Sequence, residues 1–174
     1  LNRELKRNGG GSFDLAADTW KSLGKQERAI AAYLAAAEEF ARAGAGKKER
    51  AALGRAATIR EQRMELTEQL RILERVLASA RREGLADAAA VTRNKIGIAH
   101  VRHLHYDLAR PHIRAYLDHA RATRNRWQKA DACYWMARSW SPRLDRSRPW
   151  FEEAALLWQE EGQSRNEALT QRMY

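Results

Sequence analysis

Apolar side chains recur along the chain at helical spacing. Between residues 26 and 43 they fall at Ile30, Tyr33, Leu34, Ala37 and Phe40, which line one face of a helix. A second stripe follows Leu66-Thr67, at Leu70, Leu73, Val76 and Leu77. Between such stripes stand breaks. Gly24 ends a helix predicted near 12–23, and Gly44 and Gly84 end two more. Tyr106-Asp107 marks another turn, with Asp107 as the expected cap of the next helix and Pro111 early in it. A further turn runs through Ser141-Pro142. The pattern restarts at Ser147, which places Pro149 in a first turn, where its missing N–H costs nothing. Residues 164–173 read as one more helix, able to cover the last apolar face.

The stripes repeat. At a shift of forty residues Ala17, Ala57, Gly97 and Ala137 fall in register, each small and each inside a helical pattern. Tyr33, Leu73 and Ile113 align, as do Ala36, Val76 and Tyr116, and Ala37, Leu77 and Leu117. In the fourth unit the second helix has slipped by two. Phe151, Ala154, Ala155, Trp158 and Gly162 lie 78 residues beyond Leu73, Val76, Leu77, Ala80 and Gly84, which predicts a two-residue deletion between Ser141 and Ser147. The small positions predict close helix approach, because Gly97 inside a helix costs roughly 1 kcal/mol against Ala. The expectation is an all-α fold, an α-solenoid of about four antiparallel helix hairpins with a C-terminal capping helix.

Composition agrees: among 174 residues there are 10 Gly and 3 Pro, and helix-favouring Ala, Leu, Arg and Glu dominate. No apolar run is long enough to cross a membrane, and no signal peptide is legible. A single cysteine, Cys133, excludes an internal disulfide and suits an intracellular, reducing compartment, cytoplasm or nucleus.

The arrangement resembles the tetratricopeptide repeat family over nearly the whole chain. That family carries a small residue on the first helix, an aromatic three residues later, and an Ala-x-x-x-aromatic pair on the second helix. The first unit shows Ala17, Trp20, Gly24, Ala29 and Tyr33, and the fourth keeps Ala137 and Trp140. Arg60 and His100 stand at the aromatic position in the second and third units. The period of forty exceeds the family's usual 34. SNAP-like helical hairpins, with longer helices, are similar too.

The resemblance implies a non-enzymatic scaffold or adaptor whose first helices line a concave face that binds a peptide or helix of a partner protein. Carried onto this chain, the inward positions are Asp14, Asp18 and Lys21, then Thr58, Glu61 and Gln62, then Asn94, Ile98, Val101 and Arg102, and last Tyr134 and Arg138. An Asn amide at 94 suits a ligand backbone, and Arg102 and Arg138 suit carboxylates. The carboxylate-clamp pattern of chaperone-binding relatives is not reproduced. Neither a cofactor nor a metal is expected. His100, His103 and His105 cluster, but no cysteine or carboxylate completes a structural-metal spacing. Gly44-Ala45-Gly46-Lys47-Lys48 lacks the leading Gly and the Ser/Thr of a phosphate loop, and a helix precedes it. Cys133 lies in an apolar helix with no patterned base, which points to packing.

Charge opens a second class of partner. The net charge is +10, and residues 101–150 hold eleven Lys or Arg against four Asp or Glu. Trp127, Trp135, Trp140 and Trp150 interleave there with Arg124, Arg126, Arg138, Arg143, Arg146 and Arg148, a composition that stacks on bases and contacts phosphates. Against that, Trp20, Trp140 and Trp158 fall at core positions of the repeat. A third reading is the regulatory sensor part of a larger signalling protein. Finally, residues 9–12, Gly-Gly-Gly-Ser, have the composition of a linker. Two readings of residues 1–8 stand: a partner peptide joined to a repeat domain of residues 13–174, or a native frayed terminus.

Overall fold

The computed structural model describes residues 2–160 and Gly162, with side chains from Gly10 onward. The described residues form eight α-helices and no strand. These are α1 (Asn2–Ser22), α2 (Gln26–Arg42), α3 (Gly46–Gln62), α4 (Leu66–Arg82), α5 (Ala86–Arg102), α6 (Tyr106–Ala122), α7 (Arg126–Ser139) and α8 (Leu144–Glu160). Within each of two compact units consecutive helices pack on one another, and the fold is the expected all-α solenoid of helix hairpins. The helix over 164–173 lies outside the described residues.

One turn recurs at every regular junction. Residues 24, 44, 64, 84, 104 and 124 all take the left-handed conformation, with φ between 55° and 70°. At each, the N–H of the following residue donates to the carbonyl five positions back: Lys25 to Trp20, Ala45 to Phe40, Glu65 to Arg60, Leu85 to Ala80, His105 to His100 and Asn125 to Ala120, at 2.8–3.0 Å. The left-handed residue itself donates three positions back, as Gly24 does to Lys21 at 3.0 Å. This is the Schellman closure, which satisfies carbonyls that a helix end leaves open. The next helix starts one residue later. The structural period is therefore twenty residues per helix, and forty is its double.

Sequence reading found the glycine stops at 24, 44 and 84 but not Met64, Leu104 and Arg124, which hold the same conformation with a side chain. An L-residue there costs about 1–2 kcal/mol. Among the described residues only Asn125 caps with its side chain, its Oδ1 accepting from Gln128 N–H at 3.0 Å. The backbone turn thus sets these boundaries with little help from capping side chains.

Other boundaries differ from expectation for local reasons. Helix α1 runs through Gly-Gly-Gly-Ser instead of starting at residue 12. Gly10 is buried there, and a Cβ on it would stand 2.6 Å from the Phe40 ring, so the glycine permits contact between α1 and α2. Asp107 is the second residue of α6 and not its cap; its carboxylate pairs with Arg110. Helix α8 begins at Leu144 instead of Ser147, so Pro149 is its sixth residue and not in its first turn. Pro111 is likewise sixth in α6. Each proline removes one helix hydrogen bond in the second turn. The predicted two-residue slip is present, since α8 starts eighteen residues after α7 where α2 to α7 start twenty apart.

The chain divides into two compact units, Leu1–Ala89 and Ala90–Tyr174. In the first, α1 packs on α2, α2 on α3 and α3 on α4. Its core holds Ala17, Ile30, Tyr33, Ala37, Phe40, Leu53, Ile59, Leu73 and Leu77. Buried Glu49 accepts from Ser79 Oγ and from Arg82, both at 2.8 Å, and ties the start of α3 to the end of α4. Arg60, at the family's aromatic position, reaches Glu27 of α2 at 3.0 Å and also pairs with Glu65. In the second unit α6 packs on α7 and α7 on α8. Gly97 brings α5 against α6: an added Cβ would meet Ile113 at 2.7 Å. Tyr116, Leu117, Cys133, Ala154 and Trp158 form one cluster, and Val101, Ile113 and Met136 another.

Replacing Met64 or Leu104 by Gly is expected to stabilise the chain by about 1 kcal/mol, because the left-handed strain disappears. Gly24→Ala is expected to destabilise by a similar amount. Urea unfolding midpoints at neutral pH check both signs.

Candidate binding site

In the second unit the expected inward residues lie on α5 and α7. Asn94, Ile98 and Arg102 follow one another at four-residue spacing, as do Tyr134 and Arg138, so each set shares one helix face. The two helices meet through a hydrogen bond: Asn94 Nδ2 donates to Asp131 Oδ2 at 2.7 Å. Trp135 also donates to Asp131, from one turn further along α7. Asn94 is buried, and its Oδ1 has no partner. An amide oxygen buried without a donor costs on the order of 1–3 kcal/mol. Arg138 Nη1 donates to the Tyr134 hydroxyl at 3.3 Å, which holds the guanidinium beside the ring. The Tyr134 ring is braced by Trp135, Phe151 and Trp158, with centroids 5.3–5.9 Å away.

Asp131 is the residue that sequence reading missed. Burial pushes its carboxyl up to about 6, against the opposing hydrogen bonds from Asn94 and Trp135. A signal existed, since a lone Asp among Ala130, Ala132 and Cys133 is an acid on an apolar helix face. Val101 needs correcting. Only 3% of its surface is exposed, and it packs with Ala109, Ile113 and Met136, so it belongs to the core and not to a binding face. One turn separates it from Ile98 by three residues, enough to rotate it inward. Ile98 is half-buried and Arg102 exposed.

In the first unit the predicted residues serve helix packing. Asp18 accepts from the buried Tyr33 hydroxyl, whose pKa rises to about 12 through burial and that bond. Asp14 holds Arg55 of α3 at 2.6 Å through both carboxylate oxygens. Thr58 returns its hydroxyl to the Gly54 carbonyl at 3.0 Å. Lys21 and Gln62 are exposed, and Glu61 is half-buried.

The remaining candidates resolve locally. His100 lies 6.0 Å, ring to ring, from both His105 and His112, and burial together with those neighbours lowers its pKa. Among the described residues no group of three His, Cys, Asp or Glu is arranged to hold a metal ion, and no helix is long and apolar enough to cross a membrane. The Cys133 thiol is buried and pushed up to about 12, so it is not a thiolate near neutral pH. Trp158 is a core residue, but Trp20 and Trp140 are only half-buried. Each instead carries cations on its ring: Lys25 and Arg28 on Trp20, Arg110 and Arg146 on Trp140.

Fold and site together define a helix-hairpin repeat protein with a polar pair buried between two first helices. No protein-family profile matches the chain, and no curated protein matches it in sequence. Among solved structures it is similar to BtubC (BKLC) from P. vanneervenii, with a TM-score of 0.64 at 15% identity, covering 93% of this chain. The chain spans 64% of the length of that protein. At this identity the likeness is one of fold.

Asp131 also predicts a pH effect. Its folded pKa, about 6, lies above the ordinary 3.8, so the folded state holds the proton more tightly than the unfolded chain. Its contribution is most favourable below pH 4, is lost as pH rises through 6, and stays lost above. Asp131→Asn is expected to stabilise the chain by on the order of 1–2 kcal/mol at pH 7.5 and hardly at all at pH 4. The quantity to measure is the variant-minus-native difference in urea midpoint at the two pH values. Taking that difference cancels His100, whose depressed pKa makes the native protein lose stability as pH falls below about 6.5. Equal differences at both pH values would refute a raised carboxyl.

Proposed function

We propose that this chain is a protein–protein interaction module that binds a peptide or helix of a partner along α5 and α7, as an adaptor and not as an enzyme. One observation carries the reading. The Asn94 amide oxygen is buried without a donor, while its nitrogen is fixed by Asp131. A backbone N–H of a ligand is the group that satisfies such an oxygen once the side chains covering it part, and an amide positioned by a second side chain loses little freedom on binding. Beside it, Tyr134 offers a braced aromatic surface and Arg138 a guanidinium, the residue types that dominate binding energy at protein interfaces. Ile98 adds an apolar contact on the same face as Asn94. The single buried cysteine accords with an intracellular setting.

The resemblance to tetratricopeptide repeats supports the same assignment, since their first helices carry the ligand. The twenty-residue helix period departs from that family in length but keeps the alternation of first and second helices. Whether residues 1–8 act as such a ligand turns on side chains outside the described residues.

Selection of a displayed random-peptide library on the immobilised chain tests the proposal. Enriched peptides are expected to share a motif and to bind Asn94→Ala and Tyr134→Ala about tenfold or more weakly, the loss of one buried polar or aromatic anchor. Circular dichroism melts of both variants confirm that the fold is intact. Absence of any enriched motif, or equal affinity for the variants, removes the assignment.

A further inference from the structure

The one irregular junction of the repeat, between α7 and α8, holds a second site. Helix α7 ends at Ser139, three residues shorter than each of α2 to α6, and Trp140–Arg143 cross to α8 without the left-handed closure. Between this crossing and the start of α6 lies an open cavity of about 260 Å³, with Tyr106, Arg110, Trp140 and Arg143 in its wall.

The charge around it is unbalanced. Arg110 is fixed on three sides: Nη1 donates to the Ser139 carbonyl at 2.9 Å, Nη2 pairs with Asp107, and the guanidinium lies 4.0 Å from the Trp140 ring centre. Arg146 takes the same ring at 5.0 Å. Arg143 and Arg146 form no ion pair with any carboxylate of the described residues. Three guanidinium groups thus converge with one carboxylate, Asp107, whose side chain is 92% exposed. Their mutual repulsion is felt, since burial and then Arg143 and Arg146 lower the pKa of Arg110. The first unit treats its arginines otherwise: Arg50, Arg55, Arg60 and Arg82 each hold a Glu or Asp.

We propose that this cavity binds a phosphate monoester, held by Arg143 in its wall and by Arg146, which reaches it from beside the Trp140 ring, with Arg110 as the positioning residue. A dianion satisfies two guanidinium groups at once through paired N–H donors, which a single carboxylate does less well. A compact cavity suits one phosphate with a few attached atoms. It does not suit a nucleic-acid strand, which needs a groove that follows the backbone. Trp140, anchored by Arg110, keeps the cavity wall rigid. The site is separate from the Asn94 face and stands or falls independently of it.

The test is calorimetric titration of the whole chain with inorganic phosphate, with a phosphoserine peptide and its unphosphorylated twin, and with a single-stranded oligoribonucleotide. The expected result is saturable binding of phosphate and phosphopeptide, none of the plain peptide, and at least about a tenfold loss in Arg143→Ala/Arg146→Ala. Arg143→Lys/Arg146→Lys, which keeps the charge but not the fork geometry, is expected to lose part of the affinity. A phosphopeptide far tighter than inorganic phosphate puts the ligand on a protein side chain; equal affinities put it on a free small molecule; both support the site. The proposal is overturned if the double alanine variant, shown folded by its melt, binds as the native chain does. It is overturned equally if phosphorylation makes no difference, or if the oligoribonucleotide binds best with an affinity that collapses as salt is added.

Discussion

The hydrogen bond that closes each helix end organises everything else in this chain. A residue in the left-handed region turns the backbone so that the next N–H reaches back five positions, and the next helix begins at once. Because the turn is the same from residue 24 to residue 124, the starts of α2 to α7 fall every twenty residues, and within each compact unit helices meet in a repeating register. Packing follows from that register. Small residues at 17, 37, 57, 97 and 137 recur at one position of the repeat, and in the second unit Gly97 lets α5 close on Ile113 of α6.

The two polar features gain their meaning against this regular frame. In a repeat, most positions are set by packing with the neighbouring helix, so a side chain that leaves the pattern at a cost stands out. Asn94 leaves an amide oxygen without a donor, and Asp131 keeps a carboxyl where burial disfavours its charge. Proteins retain such costs mainly at functional sites. The arginines around Trp140 are a cost of another kind, since like charges are held close with one exposed carboxylate as compensation. They occur where the repeating turn fails, and a broken period is where a solenoid gains room for a site that its regular units lack.

Electrostatics also divides the chain's basic residues by role. The +10 charge suggested a broad basic surface. Several of its arginines are instead paired within the fold: Asp14–Arg55, Glu27–Arg60, Glu49–Arg82 and Glu83–Arg50 tie together elements of the first unit. In the second unit Lys129 holds Glu153 at 2.7 Å, while Arg143 lines the cavity and Arg146 lies against the Trp140 ring. Net charge alone could not separate these groups, because a guanidinium's role depends on which acid a neighbouring helix brings to it.

The sequence by itself determined the helical class, the forty-residue register and the slip before α8, because apolar spacing and small residues act within one or two turns and are read directly from the chain. It also placed Asn94 correctly on a first helix. It did not reveal that the period is twenty, because Met64, Leu104 and Arg124 take the left-handed turn with side chains that carry no local signal for it. Nor did it show α1 running through Gly-Gly-Gly-Ser, since the reason, Gly10 against Phe40, lies thirty residues away. Val101 was misplaced for the same cause: a three-residue step along α5 decides between face and core only once α6 is present. Tertiary structure alone paired Asn94 with Asp131 and gathered Arg110, Arg143 and Arg146 around one indole, because those contacts join residues that no local spacing relates.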